Sequence, residues 1–250
     1  RAARGATATL PPALHTPHRD HTSSTSSPPL HSLKKLSIVY STLNKKSMQS
    51  ISNVRELHLR SVTGISIDRS TFANHPNLEL LDLSTLEETC SFYEEDLDFN
   101  DFDLSAFANL KSLKTLIFSN KNTEYFDSSI LNDLESLERF EVINSYDAEN
   151  AYSIDLNLTA ESAKKMRTIR VERCFTNLRP EVFIEMSALR VLSFNDVSQL
   201  THECFDVWSR LKNLEEFHLL LSGLTTRKIG LRLADLVQLM NLKIVMGKED

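Results

Sequence analysis

The sequence predicts an α/β solenoid, a single file of stacked repeats in which a helical or 3₁₀ turn feeds a short strand. Three observations predict it. An apolar triplet at an anchor and at the positions three and five after it recurs along most of the chain. Further apolar residues sit three and six positions before most anchors. Each unit alone has one apolar edge that only a neighbouring unit can cover, so the units must stack.

The copies run as follows. Leu33, Leu36 and Ile38 open the series, followed by Val54, Leu57 and Leu59, then by Leu78, Leu81 and Leu83. Leu113, Leu116 and Phe118 come next, with Leu137, Phe140 and Val142, and Met166, Ile169 and Val171. Leu189, Leu192 and Phe194 precede Leu214, Phe217 and Leu219; a ninth copy takes Leu242 and Val245 but meets Gly247 at its third position. Of these 27 positions 26 are apolar, in a chain that is 41% hydrophobic overall. Ahead of the anchors, Met48, Phe72, Phe107, Leu131, Ala160, Phe183, Trp208 and Leu236 stand at the sixth position back. Ile51, His75, Leu110, Leu134, Ala163, Met186, Leu211 and Leu239 stand at the third.

The repeats occupy residues 30–250, about eight or nine of them, while 1–29 reads as a disordered tail. That tail is rich in Ser, Thr, His and Pro without an apolar period, so ordering it would bury too little to offset chain entropy. His15, His18 and His21 recur at a spacing of three, but Pro17 argues against a helix presenting them together, and no metal is expected. The chain opens on Arg1, which reads as a piece of a longer protein.

Bulk composition excludes several classes. A formal charge of -6 lacks the basic footprint of a nucleic-acid binder. No apolar run reaches the roughly 18 residues of a membrane span. Cys90, Cys174 and Cys204 are odd in number and far apart, giving neither a disulfide framework nor a zinc pair; this favours a reducing compartment.

The triplet pattern, L-x-x-L-x-L, resembles the leucine-rich-repeat family, and the resemblance covers about residues 30–247. It implies a curved solenoid with parallel strands on a concave face and helices or turns on the convex face. Family members usually carry Asn or Cys eight residues after the anchor; here only Cys174 matches, so the repeats are degenerate. Anchor spacings of 21, 24, 35, 24, 29, 23, 25 and 28 residues, without cysteine-rich caps, resemble intracellular members such as the repeat regions of F-box proteins and immune receptors.

Alternation along a strand sends the core residues one way and their neighbours the other. The concave face should then present Ser37, His58, Asp82, Ile117, Glu141, Arg170, Ser193 and His218 in one row, and Val39, Arg60, Ser84, Ser119, Ile143, Glu172, Asn195 and Leu220 in the next. Its mixed charge with scattered aliphatics suits another protein as partner, through His58, Arg60, Asp82, Ile117, Glu141, Ile143, Arg170, Glu172, Asn195, His218 and Leu220.

The stretch from Glu87 to Asp103 holds eight carboxylates and no basic residue, inside an interval of 35 residues where the others average about 25. It is expected to be an acidic insertion, with Glu94, Glu95, Asp96, Asp98, Asp101 and Asp103 offering a dock for a basic partner. Asp96, Asp98 and Asn100 imitate the start of a calcium loop, but Asp101 replaces its glycine and Phe107 its closing Glu, so the match fails.

Catalytic signatures are absent: the chain has no G-x-S-x-G, no H-E-x-x-H, and only five scattered glycines. His58 and His218 lie far apart, each without an evident carboxylate orienter. Asn157-Leu158-Thr159 is a glycosylation sequon, relevant only to a secreted protein. The expectation is therefore a non-enzymatic protein-recognition module of adaptor or ligase-recognition type, intracellular and probing neither nucleic acid nor membrane, with no cofactor. The alternatives are the sensing region of an immune receptor and a secreted or surface ligand-binding protein.

Overall fold

The computed structural model describes residues 33–51, 53–62, 64, 66–84, 103–119, 125–143, 153–172, 175–178, 180–195, 202–221 and 235–246. Nine strands form one open parallel sheet: β1 (Lys35–Val39), β2 (Glu56–Arg60), β3 (Leu80–Leu83), β4 (Thr115–Phe118), β6 (Arg139–Ile143), β8 (Thr168–Glu172), β10 (Val191–Asn195), β11 (Glu216–Leu221) and β12 (Asn241–Met246). They pair in chain order, so each strand of this sheet is hydrogen-bonded to the strands of the repeats before and after it. Short helices α1 (Lys45–Ser50), α2 (Ala160–Lys165), α3 (Pro180–Ile184) and α4 (His202–Trp208) punctuate the series, with 3₁₀ helices at Leu104–Phe107 and Ser128–Asp133.

The spacing of three before each anchor has a hydrogen-bonding cause. The anchor N–H donates to the carbonyl three residues back, as in Leu78 to His75 (3.1 Å), Leu113 to Leu110 (3.0 Å) and Leu214 to Leu211 (3.0 Å). That residue donates three further back, as in His75 to Phe72 and Leu110 to Phe107. Such turns eclipse every third side chain, so one residue in three can face the core. The chain then extends, and one carbonyl at the mouth of each strand accepts two N–H groups from the next repeat. Arg55 O, for example, receives Glu79 N (2.7 Å) and Leu80 N (3.0 Å). The same fork recurs from Lys34 to Glu215, which locks the register of the stack.

The core is the predicted triplet. From Val54 to Leu219 every anchor, third and fifth residue is buried. Each fully buried Leu or Phe contributes roughly 1.5–3 kcal/mol relative to exposure. Aromatics add layers: Phe72 stacks on Phe107 of the next repeat, and Trp208 meets Phe183, Phe194 and Phe217 at centroid distances of 5.7, 5.5 and 5.5 Å. His75 takes an apolar turn position, is buried, and packs edge-on against Phe72. Ala160, by contrast, is exposed at the start of α2, while nearby Leu158 is buried.

The ninth copy needs correction. β12 pairs Leu242 with Phe217 and Ile244 with Leu219, so Leu242 is the third residue of its triplet and Leu239 is the anchor. Leu239 N donates to Leu236 O, as at each anchor from Leu78 to Leu214, and the last spacing becomes 25 rather than 28 residues. Leu239, Leu242 and Ile244 are all apolar, so Gly247 was never a break in the pattern.

Two features go beyond the expected repeat. A second parallel sheet joins β5 (Tyr125–Asp127), β7 (Ser153–Leu156) and β9 (Phe175–Leu178), seating Phe126 and Ile154 in the core. In the first four turns, an Asx residue ten positions before the anchor closes the entry. Asn44 accepts from Ser47 N (3.0 Å), Asp68 from Ser70 N (2.8 Å), Asp103 from Ser105 N (2.8 Å) and Asp127 from Ser129 N (2.9 Å). These side chains satisfy N–H groups that a turn start leaves orphaned.

Candidate recognition surface

The sheet brings the predicted rows together. Cross-strand register aligns Ser37, His58, Asp82, Ile117, Glu141, Arg170, Ser193, His218 and Lys243 in one continuous line on the face opposite the core. Val39 pairs with Arg60, and Ile143, Glu172, Asn195, Leu220 and Val245 follow one another in the adjoining row. Residues 21 to 35 apart in sequence thus become neighbours one strand apart, because parallel pairing repeats one register.

The two central acids are not contact residues in the simple sense expected. Asp82 is 0% exposed and Glu141 4%. Asp82 Oδ1 accepts from Ser84 N (3.1 Å) and Ser84 Oγ (2.7 Å). Its Oδ2 receives Arg60 Nε at 2.7 Å and Nη2 at 2.5 Å, with His58 Nδ1 at 3.0 Å. Burial pushes the Asp82 carboxyl up, but the hydrogen bonds from Ser84, His58 and Arg60 together outweigh it and hold the group below its ordinary value. The expectation that His58 has no carboxylate orienter is therefore overturned: an ionised Asp82 can only accept, so Nδ1 carries the proton. Among the described residues His58 Nε2 has no hydrogen-bond partner.

Glu141 organises a second cluster. Its Oε1 receives Arg139 Nε (3.0 Å) and Nη2 (2.9 Å), and Arg170 Nε lies 3.1 Å away. Arg170 then reaches past β10, where buried Ser193 leaves room, to Glu216 on β11 at 3.3 Å. Ile117, Ile143, Glu172, His218 and Leu220 are half-buried around these clusters. Buried acids beneath part-exposed arginines turn flexible cations into fixed donors.

A separate ladder runs along the mouths of the strands, one residue after each anchor. Arg55 and Lys114 both bond Glu79, at 3.2 and 2.8 Å; Glu138 meets Arg167 at 3.0 Å and Arg190 meets Glu215 at 2.5 Å. The Lys114 hydrogen bond and charge, with Arg55 behind them, hold the Glu79 carboxyl below its usual range. A groove of about 370 Å³ lies there, lined by Arg167, Ala188, Arg190, Asn213, Glu215 and Gln238.

The acidic insertion is reached only at its last residue. Asp103 caps the 3₁₀ helix Leu104–Phe107, and its N–H donates to Ile67 O at 2.7 Å, so it serves the fold rather than projecting. Glu94, Glu95, Asp96, Asp98 and Asp101 lie outside the described residues, as do Cys174 and the tail. Among the described residues no group of three His, Cys, Asp or Glu is placed to hold a metal, and no helix is long and apolar enough to cross a membrane. Asn157 of the sequon is exposed, while Thr159 caps α2 through Ser162 N.

No protein-family model matches the sequence, and comparison with curated proteins gives no match. Solved structures do resemble it. Internalin C2 from Listeria monocytogenes aligns with a TM-score of 0.58 at 19% identity, covering 86% of this chain and 81% of its own. Internalin InlF from the same organism gives 0.45 at 17% identity over 88% of this chain and 70% of its own. A complex of TLR13 with ssRNA13 gives 0.47 at 19% identity, over 87% of this chain and 36% of its own. With its nine-stranded open parallel sheet and its L-x-x-L-x-L core, the chain has the leucine-rich-repeat fold.

Proposed function

We propose that the chain is a non-enzymatic, intracellular protein-recognition module of adaptor type, reading a partner protein with the concave face of its sheet. The observation that carries this reading is the pair of buried carboxylates on that face. Ile117, one strand from both Asp82 and Glu141, shows that an apolar residue satisfies the same position. Replacing buried ionic groups by apolar ones is often neutral or stabilising, so the acids are not there for stability alone. They fix Arg60, Arg139 and Arg170 in set directions, which lowers the entropy lost when a partner binds.

The test is affinity capture with the protein and its R170A/E172A/H218A variant. The variant should lose partner capture while still unfolding in one cooperative transition, with only the modest loss expected when Glu141 keeps Arg139 but loses Arg170. Undiminished capture would overturn the reading, and glycan occupancy at Asn157 in native material would overturn its intracellular setting.

A further inference from the structure

The corner of the sheet formed by β1 to β3 differs in charge and exposure from the rest of the open face. The strands of this corner and the residue before each carry Lys34, Lys35, Arg55 and Arg60, against the acids Glu56, Glu79 and the buried Asp82. Lys35 is paired with Glu56 at 2.8 Å and Arg55 with Glu79 at 3.2 Å. The nearest acid on the open face, Asp82, is wholly buried, and both its oxygens are occupied by Ser84, His58 and Arg60. Beside the exposed Lys35–Glu56 pair, the corner shows the Arg60 guanidinium to solvent, with its side chain 38% exposed and two of its nitrogens anchored on Asp82.

Apolar surface adjoins that cation. Val39 pairs with Arg60 in register and is 36% exposed; Tyr40, 51% exposed, donates its N–H to Arg60 O at 3.2 Å. Tyr40 holds a left-handed backbone at φ 50°, and Ser61, its counterpart in the next repeat, does the same. Such a conformation is unfavourable for a residue with a Cβ, and here it ends the strand with the ring left in solvent. A pre-set arginine beside an exposed Tyr is the composition that anchors protein interfaces.

We propose that this corner docks an acidic segment of the partner protein, a carboxylate bonding Arg60 and an adjacent apolar side chain packing on Val39 and Tyr40. The inference rests on the concave-face reading and adds the partner's chemistry. At this corner Lys35 is paired with Glu56, Arg55 with Glu79 and Arg60 with Asp82, so the cations do not form the spaced, unpaired stripe that tracks a phosphate backbone, which favours an acidic peptide over nucleic acid.

The test uses the full chain and fluorescence anisotropy of three labelled probes: a decapeptide alternating Glu and Leu, its Gln analogue, and a single-stranded decanucleotide RNA. The acidic peptide should bind, weaken with salt, and outcompete the other two. Arg60→Gln should weaken it about tenfold or more, as expected for one lost charge-assisted contact. Tyr40→Gly should also weaken it, and glycine keeps the left-handed backbone without strain, so loss of fold cannot explain the result. Lys212→Gln, exposed in the turn before β11 and off the open face, should leave binding unchanged. The inference is overturned if Arg60→Gln and Tyr40→Gly both bind normally, if the Gln analogue binds equally, if RNA binds more tightly, or if no probe binds. Loss with Arg139→Gln but not Arg60→Gln would sink this corner and keep the concave-face reading. Equal binding by every sheet variant would sink both.

Discussion

His58 and Asp82 face each other across β2 and β3, with Nδ1 of the imidazole 3.0 Å from Oδ2 of a carboxylate that has no exposed surface. Arg60 closes on the same oxygen. Removing the acid leaves both donors without their acceptor. Asp82→Ala should therefore cost about 1–3 kcal/mol in chemical denaturation, the usual penalty for leaving buried donors without a partner, since Arg60 itself can turn to solvent. A triple replacement of Asp82, His58 and Arg60 by apolar residues should recover most of that loss. A small loss for Asp82→Ala alone would show the network to be idle.

The same carboxylate gives an acid-sensitive contribution. Its folded value lies below the ordinary 3.8, so the unfolded chain binds the proton more readily. The stabilisation is complete above about pH 4 and is lost as pH falls through the lowered value. Asp82→Asn should flatten that limb of the stability curve while leaving the chain less stable at neutral pH.

His75 gives a second limb at higher pH. Burial among Phe72 and its neighbours lowers its value from the ordinary 6.5, against smaller upward effects of the Ile51 and Phe72 carbonyls. Stability from the neutral ring is full above 6.5 and falls as pH drops below it, because only the unfolded chain takes up the proton freely. His75→Leu should abolish the change between neutral and mildly acid pH in thermal melts. An unchanged pH profile in that variant would show that His75 is not responsible.

Much of the fold is legible because the core positions repeat at fixed offsets, and from Val54 to Leu219 the structure buries all of them. The ninth frame slipped for a physical reason. Leu236, Leu239 and Leu242 are spaced by three, the period of the 3₁₀ turn itself, so a shift of three keeps an apolar residue at each turn position. Only the pairing of Leu242 with Phe217 decides the frame. The Asx caps were within reach, as Asp68-Arg69-Ser70, Asp103-Leu104-Ser105 and Asp127-Ser128-Ser129 stand at one offset from their anchors. The second sheet was not, since three or four residues such as Tyr125–Asp127 carry no period of their own. Nor does alternation distinguish a solvated acid from Asp82 or Glu141, whose burial depends on arginines supplied by their own and neighbouring strands.

The corrected frame makes a sharp comparison. Leu214→Ala, at a fully buried anchor, should cost roughly 2–5 kcal/mol. Leu242→Ala should cost well under half of that, since Leu242 is 44% exposed on the last strand. Equal losses in urea denaturation would restore the earlier frame.

The caps can be tested one by one. Asp68→Ala, Asp103→Ala and Asp127→Ala should each lose about 0.5–2 kcal/mol, the range for removing a capping oxygen. Asp103→Ala matters further, because a stability loss there would confirm that the end of the acidic stretch belongs to the fold. No loss would return it to the projecting loop.

The most direct test of the recognition reading is photo-crosslinking from single positions in the full chain. A photoreactive phenylalanine analogue placed at Ile117 or His218 on the open face should capture the partner. The same group at Lys212, exposed in the turn before β11, should not. Capture from Lys212 with none from Ile117 or His218 would contradict the central claim and move the partner to the turn side of the solenoid.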